Sequence, residues 1–212
     1  MPLQNRLTPL GDIVATPERG SFTGNRGIIH DAATHTLLKR RWASRAWLIC
    51  VLHFRDVRRT VMGPGSWTEL FFLDEATALA AGHRPCFFCR RDAAQDFQNR
   101  FPTHGRTGAP KAGDIDRVLH AERLDGNRKR LHALAAPAAD LPDGAMVLHD
   151  GAPHLIWKGR AHRWSQAGYS AATAPPDQAE LITPPSTVAA LRAGYRPILH
   201  PSAADQGAAE AI

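Results

Sequence analysis

The stretch Cys86-Phe87-Phe88-Cys89 holds the residues of this chain best spaced for chemistry. A two-residue gap lets both thiolates face one tetrahedral ion at about 2.3 Å. Arg84, Arg90 and Arg91 surround the pair, and nearby cations favour the thiolate that a metal needs. A zinc ion takes four ligands, and Cys50, the only other cysteine, is the expected third. The fourth is open among His30, His35, His53 and His83. A free or redox-active dithiol is the alternative for the pair.

A second group carries acid–base potential. His30-Asp31, echoed by His149-Asp150, sets an imidazole beside a carboxylate, as the metal or proton-transfer groups of a nuclease do. Glu69 precedes an apolar strand, where burial perturbs a carboxylate. His30, Asp31 and Glu69, near the glycine-rich run from Arg19 to Gly27, are therefore the catalytic candidates. Simpler readings stand beside them: Asp150-Gly151 is a hairpin turn flanked by histidines, and Glu69 has many arginines to pair with. Zinc nucleobase deaminases also carry Pro-Cys-x-x-Cys, but need a His-x-Glu upstream. Here His120-Ala121-Glu122 follows the cysteines, in the wrong order.

The elements that position the cysteines are legible. Leu70 to Leu73 reads as a short buried strand and Asp74 as an N-cap, with Ala76, Leu79 and Ala80 on the apolar side of a short helix. Gly82 ends that helix and Pro85 stops its continuation. Ala46 to Phe54 is the strongest strand signal; alternation sends Cys50 and His53 to opposite faces. Arg91 to Phe101 predicts an amphipathic helix, residues 102–113 an exposed loop, and Asp114 to Leu134 a second helical stretch with a possible break at Asp125-Gly126-Asn127.

The residues Ala76, Ala78, Leu79, Ala80, Ala81, Gly82, His83, Arg84, Pro85, Cys86 and Cys89 carry a resemblance. Over residues 69–91 the chain resembles the end of the zinc-binding domain of Ada-type DNA alkylation-repair proteins. In that family a strand and an Ala-rich helix lead into a Pro-Cys-x-x-Cys turn. The resemblance implies a zinc knuckle and a DNA-associated context. The family's earlier Cys-x-x-x-Cys pair has no counterpart, since Cys50 is the only cysteine upstream, so no methyl-accepting cysteine is assigned.

Charge divides the chain. Residues 1–111 hold 16 Lys+Arg against 9 Asp+Glu, and residues 112–212 hold 10 against 11. The basic half contains Lys39-Arg40-Arg41, Arg58-Arg59 and Arg90-Arg91, with Trp42 and Trp47 interleaved. Such residues suit phosphate contacts and base stacking, and the Ada-type resemblance implies DNA more than RNA as the partner; a solvated arginine-rich surface is the bland alternative. No apolar run approaches the roughly 20 residues that span a bilayer, and the first residues lack a signal-peptide core, so a cytoplasmic location without membrane contact is expected.

The two halves also echo one another. Glu69-Leu70 through Gly82-His83-Arg84-Pro85 resembles Glu180-Leu181 through Gly194-Tyr195-Arg196-Pro197, with Ile198 and Pro201 in place of the cysteines. A diverged duplication and a chance likeness of two Ala-rich helices both account for this. The expectation is an α+β protein of short antiparallel strands, hairpins and short helices around a zinc knuckle, with a basic half at 1–111 and a second half at 112–212. The functional expectation is a zinc-stabilised nucleic-acid-binding protein in DNA repair or processing. The alternatives are a metal-dependent hydrolase or nuclease, and a zinc-stabilised protein-interaction module.

Overall fold

Short apolar runs punctuated by glycine and proline give short strands, and the chain is built from them. The computed structural model describes residues 1–57, 60–103, 105 and 107–203. In order these form β1 (Gln4–Leu7), β2 (Ile13–Ala15), β3 (Phe22–Asn25), β4 (His30–Asp31), β5 (Thr36–Leu37), β6 (Leu48–Cys50), β7 (Leu70–Phe72), α1 (Glu75–Ala80), β8 (Arg84–Pro85) and α2 (Arg91–Arg100). There follow α3 (Ala112–Arg123), β9 (Leu124–Asp125), β10 (Arg128–Lys129), β11 (His132–Ala133), β12 (Met146–His149), β13 (Ala152–Trp157), β14 (Arg160–Ser165), β15 (Gly168–Thr173), β16 (Glu180–Leu181) and α4 (Pro185–Arg192). The fold is α+β.

Two six-stranded sheets dominate. The first has the order β2-β1-β7-β3-β6-β8 and is mixed, with β1 parallel to β7 and β6 parallel to β8. The second, β11-β16-β12-β13-β14-β15, is antiparallel throughout. One apolar cluster joins them: Leu7, Ile49, Phe72 and Leu79 share it with Leu119, Val147, Ile156, Leu181 and Tyr195. Full burial of each large side chain there is worth roughly 1.5–3 kcal/mol.

Local signals explain the elements around the cysteines. The Asp74 carboxylate accepts from the Thr77 backbone N–H at 2.8 Å, capping α1 as its position predicts. Gly82 ends that helix at φ +87°, and the His83 N–H closes the cap on the Ala78 carbonyl at 3.0 Å. Helix α4 ends the same way, with Gly194 at φ +106° and Tyr195 N–H on the Ala190 carbonyl at 3.0 Å. The two helices thus end in the same cap geometry, which duplication and chance both allow, while the first sheet is mixed and the second antiparallel.

Two expectations are corrected. The strand expected over Ala46 to Phe54 is only three residues long, because the chain leaves the sheet after Cys50 and Leu52 is exposed. The helix expected to reach Leu134 ends at Arg123; Gly126, at φ +58°, reverses the chain into the β9–β10 hairpin.

The start of α1 is also a junction between the halves. Asp74 and Glu75 are both fully buried. Besides Thr77, Asp74 accepts from the Tyr169 hydroxyl at 2.8 Å and the His200 N–H at 3.1 Å. Burial pushes its carboxyl up from the ordinary value, against the pull of those hydrogen bonds. Glu75 accepts both terminal nitrogens of Arg90, at 2.8 and 2.9 Å, the Tyr195 hydroxyl at 2.6 Å and the Ile198 N–H at 3.0 Å.

Candidate metal centre

Strand register brings the three cysteines together. Strands β6 and β8 run parallel with Leu48 opposite Arg84 and Ile49 opposite Pro85, so the next step sets Cys50 beside Cys86. The Cys86 N–H donates to the Ile49 carbonyl at 3.0 Å. A tight turn then returns Cys89 to the same place, with the Arg90 N–H on the Cys86 carbonyl at 2.9 Å. The Sγ atoms of Cys50, Cys86 and Cys89 all lie within 4.8 Å of one another, and none is in a disulfide. Tetrahedral thiolates at about 2.3 Å from one ion sit roughly 3.8 Å apart, so the cluster needs little movement to close on a metal.

Electrostatics prepares one of the three. The Cys86 thiol is held well below its ordinary range, first by hydrogen bonds from Cys50 and Cys89 and then by the backbone N–H groups of Cys89 and Phe88, the latter at 3.4 Å. Cys50 is pushed up, first because its proton is shared with Cys86 and then with Cys89, and further by burial. For Cys89 the bond from Cys50 pulls down, but the bond to Cys86 and burial outweigh it and the thiol is raised. A metal replaces the shared protons, so loading releases them. The donor set, soft thiolates steadied by backbone N–H groups, suits a soft or borderline ion.

No histidine or carboxylate among the described residues completes the set at that distance. The four expected candidates are accounted for. His30 is buried with Nδ1 2.7 Å from Thr68 Oγ1 and Nε2 3.2 Å from the Gly63 carbonyl. His83 is buried, and its Nε2 accepts from Arg26 Nε at 3.2 Å. His53 is exposed and His35 half-buried, neither within reach of the cysteines.

The catalytic candidates do not meet at the cysteines either. His30 and Glu69 both brace the segment before β7: the Glu69 carboxylate accepts the Met62 N–H at 2.8 Å, and His30 binds Thr68 and Gly63. Asp31 is exposed and accepts the Ala33 and Thr34 N–H groups at 2.8 and 3.3 Å, an Asx turn in the β4–β5 hairpin.

The nucleic-acid candidates separate into two groups. Arg40, Arg41 and Arg91 are exposed and Trp42 is half-buried. Arg90 is buried in its bidentate pair with Glu75, and Trp47 is only 2% exposed, so neither meets solvent as the charge pattern predicts. Arg58 and Arg59 lie outside the described residues. Trp47 instead organises the interior: the guanidinium carbons of Arg26 and Arg123 lie 3.7 and 3.8 Å from its ring centroid, and the His83 ring lies 5.1 Å away.

Comparison with known proteins finds no family model, no curated protein and no solved structure that matches the chain. None of the helices described is long and apolar enough to cross a membrane.

Proposed function

We propose that the chain is a zinc-stabilised nucleic-acid-binding protein that acts in DNA repair or processing in the cytoplasm. The observation that carries the metal half is the convergence of Cys50, Cys86 and Cys89. Zinc is the ion proposed because thiolates and tetrahedral closure favour it. Its role is to clamp β6 to the turn before α2, the job a short strand cannot do alone. The likeness of residues 69–91 to the Ada-type zinc domain supports the DNA context. Arg40, Arg41 and Arg91 are the exposed cations for phosphate contact, with half-buried Trp42 as the stacking surface.

Elemental analysis tests the first half: about one zinc per chain is expected, lost in Cys86→Ser together with a lower melting temperature. Fluorescence anisotropy with single-stranded DNA tests the second. Affinity should fall with salt, and Arg40→Ala with Arg41→Ala should flatten the log–log slope by roughly 0.7 per contact removed. A metal-free wild-type chain, or binding indifferent to salt, would overturn the corresponding half.

One observation favours a second reading. A set of three protein ligands is what a catalytic zinc keeps, leaving one position for water. A cobalt-loaded protein whose visible spectrum shifts on adding cyanide would support this hydrolase reading. An unresponsive four-coordinate spectrum would remove it.

A further inference from the structure

A cavity of about 450 Å³ opens where the first sheet meets the β9–β10 hairpin. None of the cysteines lines it. Five of its lining side chains are cationic, Arg26, Arg41, Arg123, Arg128 and Lys129, and Asp12 is its one carboxylate. Asp12 is exposed and stands 3.7 Å from Arg41. Trp42 and Trp47 give the cavity an aromatic wall.

Two of the cations are buried with no carboxylate in contact. Arg26 and Arg123 are each 1% exposed. Among the described residues, no carboxylate oxygen comes within 4.0 Å of either guanidinium. Their hydrogen-bond acceptors are neutral. Arg26 donates through Nε to His83 Nε2 at 3.2 Å and through Nη1 to the Gly11 carbonyl at 3.4 Å. Arg123 donates to the carbonyls of Gly82 and Arg45 at 2.9 and 2.8 Å, with Nη2 also 2.9 Å from His120 Nδ1. Arg26 Nη2 and Arg123 Nε are buried with no hydrogen-bond partner among the described residues. A buried cation normally has a carboxylate, as Arg84 has Asp116 and Arg90 has Glu75 in this same chain.

The cations also repel one another. Burial first, and then the charges of Arg123 and Arg41, hold Arg26 well below its ordinary range. Burial brings Arg123 down to about 9, against the pull of Asp116 and with a smaller push from Arg84. Burial, with Arg123 and Arg26, brings Lys129 down to about 7. The folded chain therefore keeps, around one cavity, an excess of positive charge, and two of the guanidiniums in its walls have hydrogen-bonding capacity unspent.

We propose that this cavity binds a phosphomonoester, the phosphate meeting the guanidiniums and the attached base lying against Trp42. Guanidinium forks match a phosphate's oxygens in pairs, and the excess of cations matches a dianion better than a single carboxylate. The volume falls in the range of small-ligand pockets, roughly 300–1,000 Å³. A free nucleoside monophosphate and the phosphorylated end of a nucleic-acid strand share this chemistry.

Isothermal titration calorimetry on the full chain tests it with four probes: AMP, adenosine, and one single-stranded DNA octamer with either a 5′-phosphate or a 5′-hydroxyl. Each phosphorylated probe should bind at least about tenfold tighter than its unphosphorylated partner. A 5′-phosphate octamer tighter than AMP assigns the strand end, and AMP as tight or tighter assigns the free nucleotide. Arg128→Ala, an exposed change, should weaken AMP by about tenfold. Asp12→Asn should tighten it by about threefold. Opposite signs from two folded variants cannot come from a general loss of structure. The proposal is overturned if neither phosphorylated probe binds below about 1 mM, if phosphate makes no difference, or if Arg128→Ala leaves AMP affinity unchanged. The hydroxyl octamer reads the exposed Arg40 and Arg91 surface, which does not line the cavity, so loss of that binding alone leaves the cavity standing.

Discussion

Replacing Glu75 by glutamine changes one atom type at the centre of the molecule. The carboxylate is 1% exposed and its partner guanidinium, on Arg90, is 6% exposed. It receives four donors: two from Arg90, the Tyr195 hydroxyl and the Ile198 N–H. Glutamine keeps one oxygen and turns the other acceptor into an NH2, which faces donors and can accept from none of them. The positive charge of Arg90 is then stranded in the interior. Breaking a buried pair in this way costs roughly 3–5 kcal/mol. At about 2–4 °C per kcal/mol for a chain of this size, the melting temperature should drop by about 6–20 °C in calorimetry. Arg90 also follows Cys89 and donates its N–H to the Cys86 carbonyl, so metal affinity should fall with stability. Pairing Glu75→Leu with Arg90→Met should recover much of the loss, because the stranded cation is gone. A Glu75→Gln protein melting within about 2 °C of wild type would refute the argument, as would a double variant no more stable than the single one.

Two further outcomes follow from the same interior. Gly82→Ala meets both a positive φ of +87° and a Cβ 2.6 Å from the Arg123 side chain; it should cost about 2–3 kcal/mol in urea denaturation. Gly126→Ala, at φ +58° with nothing within 4 Å of the added Cβ, should cost about 1 kcal/mol, and equal costs would deny the close packing of Gly82 on Arg123. Lys129 titrates at about 7 in the folded chain against 10.5 ordinarily. Between those values the unfolded chain binds the extra proton, so stability falls as pH is lowered through that window and levels off below it. The difference in urea midpoint between pH 9 and pH 7 should therefore be smaller in Lys129→Met than in wild type; an equal difference would remove the burial of that ammonium as its cause.

Local signals were the legible ones. Asp74 as a cap, Gly82 as a stop and the Cys86 to Cys89 spacing each act over a few residues, and each stands where the sequence puts it. Cys50 was reachable because no other thiol exists, although its reason for being there is a strand register that no short motif encodes. Charge clustering points to Trp47 and Arg90 as surface groups because it says nothing of burial; the partner of Arg90 is Glu75, fifteen residues earlier. Leu131 and Leu134 matched a helical period, yet the turn at Gly126 takes them out of the helix. No short motif marks the cavity, because its walls come from both halves of the chain. A local sign of it did exist: Arg123 follows Ile115 and Leu119 at helical spacing, which puts a cation on the apolar stripe of α3. Arg26 likewise continues the alternation of Phe22 and Gly24.

The carboxylates of Asp74 and Glu75 have a consequence for how the chain is made. Residues emerge from the ribosome at about 5–20 per second, and domains tend to fold as their parts appear. The first sheet, α1 and the cysteine turn are all synthesised by residue 91, but the partners of those two acids include Tyr169, Tyr195, Ile198 and His200. Until these arrive, Glu75 has only Arg90 and Asp74 only Thr77, half or fewer of the donors that seal them in the finished fold. The sealing of α1 is thus expected to come late in synthesis, with the arrival of Tyr169 and of the segment from Tyr195 to His200.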